Sequence, residues 1–179
     1  MRSIEVKKNK VYLNNKPLYQ RLVLDQGFYP DGIWTAPTDK ALKNDIILSM
    51  KAGFNGARLH EKVFEDRFHY WADKLGYITW AEWGNWGANE NAKGTETAFM
   101  HEWPKIVEHL KNHPSIITWT PFNETNTLEC NAQHKKLMRL AYDVTKKIDP
   151  TRPVNETSGY QHQKTDIWTV HHYLSLIHI

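Results

Sequence analysis

"GFNGARLHEKVFEDRFHYWADKLGYITWAEW", residues 53–83, decides the fold class. "FNGARLH" reads as a strand whose polar end carries Arg58 and His60. Phe64, Phe68, Trp71 and Leu75 then recur at spacings of four, three and four, the apolar stripe of a helix. Gly76 stops that helix. "YITWAEW" follows as a second strand, ending at Glu82. Strand, helix, strand in immediate succession is a βαβ unit, and βαβ units build parallel sheets.

The same rhythm extends both ways. Upstream, Thr38 or Asp39 caps a helix that carries Leu42, Ile46 and Met50 and ends at Gly53. Before it, a short β-hairpin at about 4–20 turns at Asn14-Asn15, residue types that accept left-handed backbone. Its second arm runs on to the apolar stretch 22–24, a candidate buried strand. "DQGFYPDGIWTAPTD" is long for a connection, which favours a functional loop. Downstream, residues 96–111 read as a helix that Pro104 can break. "SIITWTPFNE" reads as a strand ending at Glu124, residues 131–148 as a helix, and "DPTRP" as a stop. "VNETSG" and "DIWTVHHY" read as two further strands.

Polar side chains collect at the C-terminal ends of these strands: Asp25, Arg58 and His60, Glu82, Asn123 and Glu124, Glu156, then His171, His172 and Tyr173. That is the pattern of a (β/α)₈ barrel with its site on the top face. A doubly wound sheet would also bind ligand at strand C-termini. However, no Gly-rich phosphate fingerprint follows the first strand. About six of the eight strands are accounted for, in a fold that usually needs roughly 250 residues. The expectation is therefore an α/β chain, an incomplete TIM barrel. Residues 1–179 would form the N-terminal part of a catalytic domain, behind the short hairpin.

Composition narrows the function classes. With 40% hydrophobic and 24% charged residues the chain is globular. A net charge of +3, with scattered basic residues, gives no stripe for nucleic acid. No apolar run reaches membrane-spanning length, and "MRSIEVKKNK" has no apolar signal core. A single cysteine, Cys130, allows no internal disulfide. Eight Trp, eight Tyr and six Phe are many, and several adjoin glycines, as in "WAEWGNWGANE". Most such indoles belong to cores, but flat faces beside flexible backbone also suit the C–H face of a sugar.

Glycoside hydrolysis commonly uses two carboxyl groups across the scissile bond. The proton donor needs a raised pKa, which an apolar, aromatic setting supplies by penalising the charged form. Glu124, after Trp119 and Phe122, fits that need. Asn123 can hydrogen-bond a sugar hydroxyl. Arg58 and His60, two apart on one strand, face the same side and can hold a hydroxyl or orient a carboxylate. Arg58 reads equally well as a structural ion-pair partner. Glu82 can serve as an acid, a sugar ligand or a support. His171 and Tyr173 complete the candidate substrate-binding set. Glu129 and Glu156 read as solvated or structural. Adjacent His171 and His172 point to opposite faces of a strand, and no H-E-x-x-H helix or paired cysteines occur, so no metal site is expected. Ser158 in "TSGY" lacks a nucleophile elbow.

The quoted stretch, followed by "HPSIITWTPFNET", resembles glycoside hydrolase family 2, which includes β-galactosidases, β-glucuronidases and β-mannosidases. "GFNGARLH" approximates one signature of that family, with His60 two residues after Arg58. His113, Pro114, Ser115, Ile116, Trp119, Asn123 and Glu124 match a second one closely. The resemblance implies a retaining hydrolase with a carbohydrate substrate. Glu124 would be the general acid/base, Asn123 the contact to the sugar 2-hydroxyl, and Arg58 an orienting group. Tyr173 would support the nucleophile. The nucleophile, a second Glu on the seventh strand, is expected beyond Ile179, which would leave this chain inactive alone. Some relatives bind Mg²⁺ near the site, but no complete ligand set is visible here, and no cofactor is expected. A carbohydrate-binding pseudoenzyme and a non-catalytic scaffold are the alternatives. Compartment and oligomeric state stay open.

Overall fold

The computed structural model describes residues 2–125 and 130–174. Glu129 and residues 175–179 lie outside them. The first three strands, β1 (Ile4–Lys7), β2 (Lys10–Leu13) and β3 (Lys16–Leu18), form an antiparallel sheet. Asn14 and Asn15 both take positive φ, 50° and 63°, as a two-residue hairpin turn requires. Lys8 and Asn9 make the same kind of turn between β1 and β2, with φ of 48° and 59°.

A four-stranded parallel sheet follows in the order β4 (Leu22–Asp25), β5 (Gly56–Leu59), β6 (Ile78–Glu82), β7 (Ile116–Thr120). Helices α1 (Asp39–Lys51), α2 (Asp66–Leu75) and α3 (Lys93–Leu110) supply the crossovers. Pro121 interrupts the fourth barrel strand, which resumes as β8 (Phe122–Asn123). After α4 (Ala132–Ile148) the chain returns beside it: Trp119 bridges Val154, and β8 pairs in parallel with β9 (Thr157–Ser158). Five barrel strands are thus built by backbone pairing. The sixth position is taken by residues 166–174, which meet 154–159 mainly through side chains. The Thr169 hydroxyl accepts from the Gly159 N–H at 3.1 Å, and the Asp166 N–H reaches the Val154 carbonyl at 2.8 Å. The alternation in "DIWTVHHY" predicts a strand there, but side chains take the bonds that a ladder would use.

Helix α3 runs unbroken through Pro104. Phe99, Trp103, Val107 and Leu110 are all buried on one of its faces, and that packing outweighs the lost backbone bond. They join Trp83, Trp119, Phe122, Leu137, Met138 and Ala141 in one core between α3, α4 and the sheet. A second core sits under α1 and α2, around Leu42, Ile46, Leu59, Phe64, Phe68 and Tyr77. Met50, expected on the same stripe, is exposed. Leu24 is also exposed, so the stretch 22–24 is less buried than its sequence suggests.

A third cluster determines where a site can be. Ile4, Val11, Leu13 and Leu18 of the antiparallel sheet pack on Ile78, Trp80 and Ile117, near the starts of β6 and β7. The N-terminal end of the barrel is therefore plugged by apolar side chains, which leaves the opposite end for a site. Gly56 lets the strands come together: a Cβ there would lie 2.2 Å from the Ile78 carbonyl oxygen and 2.8 Å from Leu22 Cδ2. Gly56→Ala is expected to cost about 2 kcal/mol or more through overpacking, read as a lower urea midpoint. An unchanged midpoint would mean that the close approach does not matter.

Candidate active site

Arg58 and Glu82 lie on neighbouring strands and point to the same side. Glu82 is fully buried and pairs with the Arg58 guanidinium through Nε. It also accepts the Glu61 N–H at 3.1 Å. Burial pushes the Glu82 carboxyl up to about 7, with the Arg58 charge and these hydrogen bonds pulling the other way. Of its sequence-level alternatives, Glu82 takes the supporting one: its hydrogen bonds go to Arg58 and the backbone.

The same guanidinium donates to the Asn123 side-chain oxygen and lies 3.2 Å from His171 Nε2. The Ser158 hydroxyl also meets that nitrogen, at 2.9 Å. Because a guanidinium only donates, His171 Nε2 accepts, and its proton sits on Nδ1. Nδ1 faces Glu124 Oε1, which the Tyr173 hydroxyl also reaches. Partial burial raises the Glu124 carboxyl, but hydrogen bonds from His171 and Tyr173, with the Arg58 charge, outweigh it and hold the group below its ordinary range. The aromatic setting predicts the opposite direction, but the aromatic residues before Glu124 are buried in the core between α3 and α4. Tyr173, which the family resemblance assigns to a nucleophile, donates to Glu124 here.

Asn123 and Glu124 are sequence neighbours, yet both line one cavity of about 260 Å³ with Glu61, Asn85, Trp86 and Glu90. In a regular strand they would face opposite ways. Glu124 has φ 38°, and its N–H bonds the Ser158 carbonyl at 2.8 Å, which redirects the side chain. Gly159, at φ 113°, lets the backbone pass close by: a Cβ there would sit 3.3 Å from His171 Nδ1 and 3.4 Å from Glu124 Cγ. The Asn85 amide ties the arrangement together, accepting the Asn123 N–H at 2.8 Å and donating to the Asn123 carbonyl and to Glu90 Oε1, both at 3.0 Å.

His60 is buried and packs edge-on to Trp86, with Nδ1 3.0 Å from the Gln26 amide. Burial, reinforced by the Arg58 charge, lowers it to about 4. It lines a second, more apolar cavity of about 390 Å³ with Phe28, Trp34, Glu61 and Trp86. Phe28 and Trp34 stack at 6.1 Å, so the long loop after β4 supplies this wall.

Sequence reasoning missed Glu61 and Asn85. Strand alternation points Glu61 away from Arg58 and His60, but its φ of 57° turns it back into the site. Glu61 Oε2 accepts the N–H groups of Asn85 and Trp86 at 2.6 and 2.9 Å. Burial raises its carboxyl, and those two bonds pull it back. Asn85 lies in "WAEWGNWGANE", a stretch that draws attention only to its indoles. Glu156 is buried and bonds the N–H groups of Gln163 and Lys164 and the His162 ring, shaping a loop away from the cavity. Glu61, Glu90 and Glu124 line one cavity, but among the described residues no three His, Cys, Asp or Glu side chains converge as metal ligands.

The start of the motif is structural. His113 Nδ1 and the Ser115 N–H bond the Asp73 carboxylate of α2 at 2.7 and 2.9 Å, and the Trp119 indole donates to Asp149 at 2.8 Å. These tethers anchor the strand that presents Asn123 and Glu124.

Comparison with known proteins identifies the family and the fold. The family described as glycosyl hydrolases family 2, TIM barrel domain, matches residues 4–178. The chain is 29% identical to a β-galactosidase of Photobacterium profundum over 93% of its own length. It is 42% identical to one of Psychromonas ingrahamii over 71 residues, 39% of its length. It spans 16% of the first of these proteins and 6% of the second. Among solved structures, a β-glucuronidase from Ruminococcus gnavus shares the fold with a TM-score of 0.77 at 19% identity, over 86% of this chain and 27% of that one. Bacteroides uniformis β-glucuronidase 3 does so with a TM-score of 0.75 at 22% identity, over 86% and 20%.

The ion pair carries a stability prediction. Arg58→Met strands a buried carboxylate and is expected to cost about 3 kcal/mol at pH 8. Glu82 has a folded pKa above its unfolded value, so the folded state holds the extra proton and the loss shrinks as pH falls. It should level off below the folded pKa of about 7, by about pH 6, where Glu82 is mostly neutral in the folded protein with or without Arg58. Denaturant unfolding at several pH values checks this, and a loss independent of pH would assign Arg58 to packing alone.

Proposed function

This chain belongs to the glycosyl hydrolases of family 2, and on that footing we propose that the protein containing it cleaves O-glycosidic bonds by a retaining, two-carboxylate route. The observation that carries the reading is Glu124, turned out of its strand into the same cavity as Asn123 and bonded by His171 and Tyr173. In the first half of the reaction Glu124 gives its proton to the departing glycosidic oxygen while a second carboxylate bonds the anomeric carbon. In the second half the Glu124 carboxylate takes a proton from water, and the water oxygen attacks the anomeric carbon and displaces the second carboxylate from it.

The hydrogen bonds from His171 and Tyr173 suit the base half, since they favour the carboxylate. For the acid half Glu124 must be protonated. A second carboxylate placed nearby raises it by like charge and competes for the Tyr173 hydroxyl. That second group is expected outside residues 1–179. Asn123 has its side-chain oxygen fixed by Arg58, which turns its NH₂ toward Glu61 on the cavity wall, where it can meet the sugar hydroxyl beside the reacting carbon. The curated relatives are β-galactosidases, so β-galactosides are the first substrates to test.

Glu124→Gln removes the proton donor and leaves the cavity its shape. Turnover of alkyl β-glycosides by the full-length gene product should fall by about 10²–10⁴-fold. Aryl glycosides with strongly acidic phenols should lose less, because such a leaving group departs without a proton. Equal losses for both would remove Glu124 from the acid role. A wild-type protein that binds sugar without turning it over would make the protein a binding pseudoenzyme.

A further inference from the structure

We infer that Glu61 sets the charge class of the sugar: its carboxylate accepts a hydroxyl of a neutral glycoside and turns uronides away. This rests on the site being a sugar site, but not on Glu124 performing the chemistry.

Glu61 is only 9% exposed. Its Oε2 is occupied by the backbone N–H groups of Asn85 and Trp86. Its Oε1 is buried and makes no hydrogen bond. The Asn123 side-chain amide faces Glu61 and favours its charged form, but it does not reach Oε1 with normal hydrogen-bond geometry. A buried carboxylate oxygen left unpaired is costly, and such an atom in a functional cleft points to a donor that a ligand brings. The position fits that use, because Glu61 lies on the wall shared by both cavities. On one side are Asn123 and Glu124, and on the other Phe28, Trp34 and Trp86, aromatic faces suited to stacking on a ring. A sugar hydroxyl is a donor of the required size.

The surrounding charges define which sugar. Glu61, Glu90 and Glu124 all line the first cavity. Among the described residues lining either cavity, none is Lys or Arg. Arg58 is committed to Glu82 and Asn123. Lys62, next to Glu61 in sequence, is held by the Trp34 carbonyl at 2.9 Å. His60, lowered to about 4, brings no positive charge at neutral pH. A uronate carboxylate entering here meets like charge, while the hydroxymethyl group of the neutral sugar does not.

Calorimetric binding to the full-length gene product tests this, with Glu124→Gln in place so that no ligand is consumed. The probes are methyl β-galactoside and methyl β-glucoside, each compared with its own uronide, so that the pair differs only at C6. The neutral sugar is expected to bind roughly tenfold or more tighter than its uronide, the scale set by a like-charge contact. Adding Glu61→Gln keeps an oxygen for the two backbone N–H groups and removes the charge, so the ratio should collapse toward one. An unchanged ratio overturns the inference. So does preference for the uronide with Glu61 present, a result that needs no Glu61 variant and so does not depend on that variant folding. Binding of neither sugar overturns it as well. Failure of the acid/base reading appears separately, as turnover that Glu124→Gln does not alter.

Discussion

The Arg58 guanidinium is the contact on which the top of this barrel depends. It reaches Glu82 on β6, Asn123 on β8 and His171 beyond β9, and so joins segments distant in sequence. Each contact has a further effect. Glu82 is the buried counter-charge that makes a guanidinium tolerable there. The Asn123 amide is oriented with its nitrogen toward the cavity. His171 is set in the tautomer whose Nδ1 proton points at Glu124. A single cation thus transmits orientation from the barrel interior to the carboxyl proposed to move the proton.

Backbone turned against the strand pattern is the second constraint. Glu61 and Glu124 each lie just past the end of a barrel strand, and each has positive φ, at 57° and 38°. A side chain seldom accepts that conformation, and where it does the surroundings fix it. Here the Ser158 carbonyl holds Glu124, and the Asn85 and Trp86 backbone holds Glu61. In consequence His60 and Glu61 share one cavity, and Asn123 and Glu124 share another. Two adjacent residues on a straight strand could not do this.

Those turns also explain how far the sequence could be read. The alternation of strands and helices was legible because the apolar spacing within "VFEDRFHYWADKL" and "SIITW" follows from burial on known faces. Arg58, His60, Glu82, Asn123 and Glu124 were legible because they end strands. Glu61 was not, since strand alternation points it the wrong way. Asn85 was not, since it works through backbone partners across a loop. The continuity of α3 across Pro104 and the missing ladder at 166–174 depend on tertiary packing and on side chains that take over backbone bonds. Tyr173 was legible as a site residue, but its bond to Glu124 was not, because that pairing depends on where the last segment lies.

The barrel matches β-glucuronidases in shape, and its own first cavity is lined by Glu61, Glu90 and Glu124. A crystal structure of the full-length gene product with an uncleaved glycoside tests whether the polar layer built on Arg58 is a sugar site with Glu124 at the scissile bond. A Glu124 oxygen is expected within about 3 Å of the glycosidic oxygen, the hydrogen-bond reach a proton donor needs, with the Asn123 amide nitrogen on the neighbouring hydroxyl. A sugar bound elsewhere, or one whose glycosidic oxygen lies out of reach of Glu124, would contradict it.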